Sequence, residues 1–200
     1  FTGQGPDKTI WRIGAEVYQS HGGEYDSDYS FQDSQSVTFK NMKLRVPYNE
    51  NYLGFSHTND TVVENCIIDG RTAFWGYKSA TFKNTTFNAP SGDYAIWTYS
   101  SPVMTFDNCT FNASGKVVNV YTDYDAGQHN ITVNFNNCTV KSTKANKTAL
   151  SINDSLMTDA GKGFQFYVNI TGNNTINGLK PDTKTCSRLF GFSNDKITKY

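Results

Sequence analysis

The carboxylates and one arginine are the natural place to look for chemistry in this chain. Asp123 and Asp125, taken with Arg71, form the best constellation it offers for proton abstraction or glycoside hydrolysis. The same residues also read as turn chemistry, because Asp69-Gly70 and Asp125-Ala126-Gly127 are sequences that bend a chain without any catalytic purpose. His21, His57 and His129 all lie in Gly-, Asn- or Asp-rich stretches, and no Ser-His-Asp or Cys-His arrangement follows from their spacing.

Cysteine is the second reactive type. Cys66, Cys109, Cys138 and Cys186 are compatible with two disulfides in a secreted chain or with four free thiols. Three of them, Cys66, Cys109 and Cys138, recur at one position of a repeat where Met42 and Thr85 stand in other copies, so an inward apolar column of thiols is the expectation. Closely paired ligands of the Cys-x-x-Cys kind are absent from the sequence, and no zinc site or other metal centre is expected. No cofactor is expected either.

The aromatic residues give the stronger functional signal. With Phe74, Ile96 and Val120 taken as core positions, strand alternation leaves Trp75, Tyr77, Trp97, Tyr99 and Tyr121 on the opposite face, with Tyr124 just beyond. Asp93, Asp123 and Arg71 flank them. Trp and Tyr offer a large contact area at low entropic cost, which suits a sugar chain or a protein partner. The expected ligand-binding set is therefore Trp75, Tyr77, Trp97, Tyr99, Tyr121, Tyr124 and Asp123, with no catalytic residue among them.

The elements that position these residues come from a repeat. Val37-Thr-Phe-Lys-Asn41-Met-Lys-Leu44, Thr61-Val-Val-Glu-Asn65-Cys-Ile-Ile68 and Ala80-Thr-Phe-Lys-Asn84-Thr-Thr-Phe87 share one pattern. Met104-Thr-Phe-Asp-Asn108-Cys-Thr-Phe111 and Val133-Asn-Phe-Asn-Asn137-Cys-Thr-Val140 continue it. The asparagines recur at steps of 24, 19, 24 and 29 residues, a range that fits one turn of a solenoid with loops of varying length.

Within each copy the apolar residues lie two apart before the Asn, then skip phase and resume immediately after it. A period of two that skips once means two strands joined at a corner. Asn suits that corner because its short amide tolerates left-handed backbone, and stacked copies are expected to form an amide ladder. A third strand is expected before each pair, at Tyr29-Ser-Phe31, Leu53-Gly-Phe55, Phe74–Tyr77, Tyr94–Tyr99, Val118-Asn-Val120 and Leu150-Ser-Ile152. Thr9–Ile13 reads as an opening strand, and no amphipathic helix pattern stands out.

On these motifs the chain resembles the pectate-lyase-like right-handed parallel β-helices, and within them the Asn-Cys-Thr-Phe type of repeat found in surface proteins of anaerobic bacteria. The resemblance covers roughly Tyr29 to Ile176, and the opening Phe1–Ile10 resembles an early coil. It implies an all-β fold, a right-handed parallel β-helix of about seven coils with three short strands each, occupying residues 1–200 as a single domain. For function it implies less, because such folds include lyases, hydrolases, epimerases, phage tailspikes and adhesins. The lyases hold calcium with clustered carboxylates and abstract a proton with Arg or Lys, which is the role Asp123, Asp125 and Arg71 would fill in a lyase or hydrolase fragment.

Composition narrows the class. The 18 basic and 18 acidic residues cancel and form no long run, so neither nucleic acid nor an anionic membrane is an expected partner. Apolar stretches are too short to span a bilayer, and the first residues show neither a starting Met nor a signal peptide, which reads as a piece of a larger protein. Sequons at Asn59, Asn84, Asn108, Asn112, Asn130, Asn137, Asn146, Asn153, Asn169 and Asn173 would load the fold with glycans in a eukaryotic secretory route, so a bacterial origin is the simpler reading.

The leading expectation is a monomeric, non-catalytic, extracellular recognition module of a bacterial surface or secreted protein. It would bind a host glycan or a host protein such as a mucin or an immunoglobulin. A polysaccharide lyase or glycoside hydrolase fragment is the alternative from another class, and a passive spacer is the third.

Overall fold

A computed structural model describes residues 1–12, 34–45, 53–70, 72–89, 96–99, 103–113, 118–121, 131–142, 150–153, 166–178 and 180. These residues form sixteen β-strands and no helix. Every strand pairing among them is parallel, and the strands divide between two sheets. The arrangement is compatible with a β-solenoid.

One sheet has seven strands in the order β1 (Ile10–Arg12), β3 (Lys43–Arg45), β5 (Ile67–Asp69), β7 (Thr86–Ala89), β10 (Thr110–Ala113), β13 (Thr139–Ser142) and β16 (Thr175–Ile176). The second sheet has nine. Through it run β2 (Ser34–Lys40), β4 (Leu53–Glu64), β6 (Thr72–Lys83), β9 (Val103–Asp107), β12 (Ile131–Asn136) and β15 (Phe166–Thr171), each paired with the next. Successive copies of the repeat are thus spatial neighbours in both sheets.

The remaining strands, β8 (Ile96–Tyr99), β11 (Val118–Tyr121) and β14 (Leu150–Asn153), form a branch of the nine-stranded sheet. The fork lies at β6, whose first residues pair with β8 and whose later residues pair with β9. Among the described residues, three separate strands per copy, the sequence expectation, occur in the later copies, and the strand expected at Tyr29-Ser-Phe31 lies outside the described residues. In the earlier ones β4 and β6 run unbroken for 12 residues, with register irregularities between Gly54 and Ser56 and between Thr58 and Asp60 absorbing the bend.

The corner is where the sequence expectation meets its clearest test. Asn41, Asn65, Asn84, Asn108 and Asn137 all have positive φ, between 48° and 55°. For an L-residue this conformation carries a steric cost that Asn bears better than most. Hydrogen bonding runs through the corner without interruption: the Asn65, Asn84 and Asn108 amides donate to Lys83, Asp107 and Asn136 carbonyls at 3.0, 2.9 and 2.8 Å. The side chains form the amide ladder, with Asn65 donating to Asn41, Asn84 to Asn65 and Asn108 to Asn84 at 3.2, 3.0 and 2.7 Å.

Between the sheets lies the core. Phe39, Val63, Phe82, Phe106 and Phe135 stand in one register column, and Leu44, Ile68, Phe87, Phe111 and Val140 in another. All ten are buried. Ring centroids along the columns are 5.1 Å apart for Phe82 and Phe106, 5.2 Å for Phe106 and Phe135 and 4.8 Å for Phe87 and Phe111, with planes within 10° of parallel. That spacing is close to the ~4.8 Å separation of paired strands, so register imposes the stacking. Across the core the two columns meet edge to face, as Phe106 does with Phe111 at 5.3 Å. Each side chain contributes ~1.5–3 kcal/mol on burial, and only when the neighbouring copy covers it.

Candidate functional site

The aromatic candidates map to the branch and to β6. Trp75 and Tyr77 fall in β6, Trp97 and Tyr99 in β8, and Tyr121 at the end of β11. Register makes Trp97 the neighbour of Ala73 on one side and of Asn119 on the other. Tyr99 pairs with Tyr121, which in turn pairs with Asn153. Trp75 pairs with His57 of β4. The intervening positions Ile96 and Thr98 pair with Val118 and Val120, and these with Leu150 and Ile152. The closest aromatic pair on the branch is therefore Tyr99 with Tyr121, with Trp97 two residues earlier at the same phase of its strand.

The side chains of these strand residues lie outside the described set, as do Asp93, Asp123, Tyr124, Asp125 and Arg71 in full. Cys186, His21 and His129 do as well. The structure thus gives the aromatic strand residues a shared sheet and a register, while the expected contributions of Asp123 and Tyr124 fall outside the described residues.

The thiols, which look reactive in the sequence, are accounted for as structure. Cys66, Cys109 and Cys138 are buried free thiols. Each acts as a weak donor to two backbone carbonyls, one in its own copy and one in the copy before. Cys66 reaches Glu64 and Phe39, Cys109 reaches Asp107 and Phe82, and Cys138 reaches Asn136 and Phe106, at 3.2 to 3.6 Å. Thr85 makes the same two bonds with its hydroxyl, to Lys83 and Val63. The column expected to be merely apolar is therefore a column of small donors aimed at strand-end carbonyls, of which those of Glu64, Lys83, Asp107 and Asn136 also accept a corner asparagine amide.

Burial pushes the Cys66 thiol above its ordinary range. Cys109 is raised as well, first by the neighbouring Cys138 thiol and then by burial, while Cys138 is lowered by the neighbouring Cys109 thiol. A nucleophile needs a lowered pKa together with access; Cys66 and Cys109 are raised, and all three thiols are buried.

A second set of ladders joins the copies outside the core, beyond those expected at the corner. Asn88 donates to Asp69 at 3.1 Å and Asn112 to Asn88 at 2.9 Å across the seven-stranded sheet. On the other sheet Asn136 donates to Asp107 at 2.7 Å, and Asn169 donates to Asn134 at 2.8 Å. Lys40 and Glu64 form an ion pair at 2.8 Å, and its hydrogen bond and charge hold the Glu64 carboxyl below the usual range. A signal for these ladders exists, since Asn88 and Asn112 each stand four residues after a corner Asn. Those polar residues acquire partners only once copies are stacked in register.

No protein-family model, curated protein or solved structure matches the chain.

Proposed function

We propose that the chain is a right-handed parallel β-helix serving as a non-catalytic recognition module of a bacterial cell-surface or secreted protein. In-order parallel pairing of successive copies, with left-handed asparagines at each corner, supports the β-helix. The observation that carries the binding role is the register of the branch, which sets Tyr99 beside Tyr121 on adjacent parallel strands with Trp97 at the same phase. Aromatic side chains repeated on a rigid sheet present broad contact area that costs little ordering on binding. The ligand is a host glycan or a host extracellular protein of the mucin or immunoglobulin type.

The test is a glycan array run beside titrations with purified mucin and immunoglobulin. Saturable binding to a defined glycan or to one of these proteins is the expected result. Silence throughout, or release of unsaturated products from an acidic polysaccharide, would overturn the reading.

A further inference from the structure

Cys109 and Cys138 are far apart in the chain and adjacent in space, because each stands immediately before one of a register pair, Thr110 on β10 and Thr139 on β13. The Cys109 sulfur lies 3.4 Å from the Phe82 carbonyl oxygen and 3.5 Å from that of Asp107. The Cys138 sulfur lies 3.3 Å from the Phe106 carbonyl oxygen and 3.4 Å from that of Asn136. These carbonyls are themselves register partners, Phe82 with Phe106 and Asp107 with Asn136. The two sulfurs are therefore related by the step from one strand to the next, which sets them ~4.8 Å apart. Cys66 has no thiol beside it in the column, since Met42 and Thr85 hold the adjoining places.

That separation decides what the pair can do. A disulfide needs its sulfurs ~2.05 Å apart, which stacked copies held in register do not reach. Two metal–thiolate bonds of ~2.3 Å laid end to end span ~4.6 Å, and the strand spacing already supplies that length. Among the described residues no three His, Cys, Asp or Glu side chains stand together, so an ion that requires four such ligands finds no shell here. The pair suits a soft ion that takes two thiolates in a line. Both thiols are buried, and four carbonyl oxygens face them, so an uncompensated negative charge is costly at this place. A divalent ion on two thiolates is neutral, whereas a monovalent one leaves a net negative charge against those oxygens.

We propose that Cys109 and Cys138 form a linear two-thiolate site for a soft divalent metal ion of the mercuric type, held between two copies of the repeat. Each thiol loses its proton to solvent and each sulfur forms one bond to the ion, so two protons leave as the ion arrives and the site stays uncharged. Cys138, lowered by its neighbour, is the first of the two to ionise. Entry follows local opening of this layer, because both sulfurs are buried in the closed one. The site is separate from the aromatic branch and does not depend on it.

The test uses the 200-residue chain carrying Cys66→Thr and Cys186→Ser, which leaves Cys109 and Cys138 as its thiols. This double variant is loaded with mercuric chloride and dialysed against a small monothiol, which removes ions held by a single sulfur. Retention of one ion per chain is expected, with an unchanged circular dichroism spectrum and a raised unfolding midpoint. Adding Cys109→Thr or Cys138→Thr abolishes retention while keeping the fold, because Thr85 already makes the same two carbonyl bonds with a hydroxyl. Retention by either threonine variant, no retention by the double variant, or retention only with loss of the folded spectrum would each overturn the proposal. If a threonine variant fails to fold, X-ray absorption at the mercury edge of the loaded double variant still decides: two sulfurs and no other ligand support the site, and any other shell overturns it.

Discussion

Asn108 donates its side-chain amide to the Asn84 side-chain oxygen at 2.7 Å, and both residues hold left-handed backbone, with φ of 52° and 48°. The pair joins two requirements in one residue type. The corner needs a side chain that tolerates positive φ, and the stack needs one that both donates and accepts.

Those requirements separate by mutation. Asn108→Gly keeps the backbone conformation and loses the ladder bonds, whereas Asn108→Ala loses both. Denaturant unfolding should show Asn108→Ala destabilised by about 1–3 kcal/mol and Asn108→Gly by less, since the left-handed conformation costs an alanine ~1–2 kcal/mol. Equal losses would mean that the ladder alone matters.

The aromatic column makes a larger demand. Phe106 stacks on Phe82 and Phe135 and meets Phe87 and Phe111 edge to face. Phe106→Ala is expected to cost about 3–5 kcal/mol by the same unfolding measurement, and Phe106→Leu distinctly less. A loss under ~1 kcal/mol would show that the stack is not continuous through this copy.

The buried thiols give a pH signature. Burial raises Cys66 above its ordinary value of 9.0, so the folded protein keeps a proton that the unfolded chain releases. The stabilisation is complete below the unfolded value and is lost as pH climbs above it toward the folded value. Stability should therefore fall on the alkaline side of about pH 9. Cys66→Thr, which copies the arrangement at Thr85, should flatten that fall. An unchanged alkaline slope in this variant would contradict the assignment.

Gly3 tests the opening copy. A Cβ there would collide with the Asn41 carbonyl oxygen, a backbone atom that cannot swing aside. Gly3→Ala should raise amide exchange within residues 1–12 while leaving exchange in β9, β10, β12 and β13 unchanged. Uniform change along the chain would mean that the first copy is not an independent layer.

Much of this architecture is legible in the sequence. The phase skip at Asn41, Asn65, Asn84, Asn108 and Asn137 is written in every copy, so corner, ladder and inward column follow from one period. The donor role of Cys66, Cys109 and Cys138 is not, because an apolar pattern does not reveal which carbonyl a thiol will reach. Nor is the fusion of β4 and β6 into long strands, which depends on how closely two segments abut. For the candidate site, sequence assigns Trp97, Tyr99 and Tyr121 to strands, and only register makes Tyr99 and Tyr121 neighbours.

The most direct test of the recognition role is ligand titration of Trp97→Ala against the parent chain, run together with thermal unfolding. The expected result is binding weakened by about tenfold or more with an unfolding midpoint shifted by only a few degrees, the behaviour of a contact residue on a preformed surface. Unchanged binding, or a collapse of stability that marks Trp97 as part of the core, would contradict the recognition role.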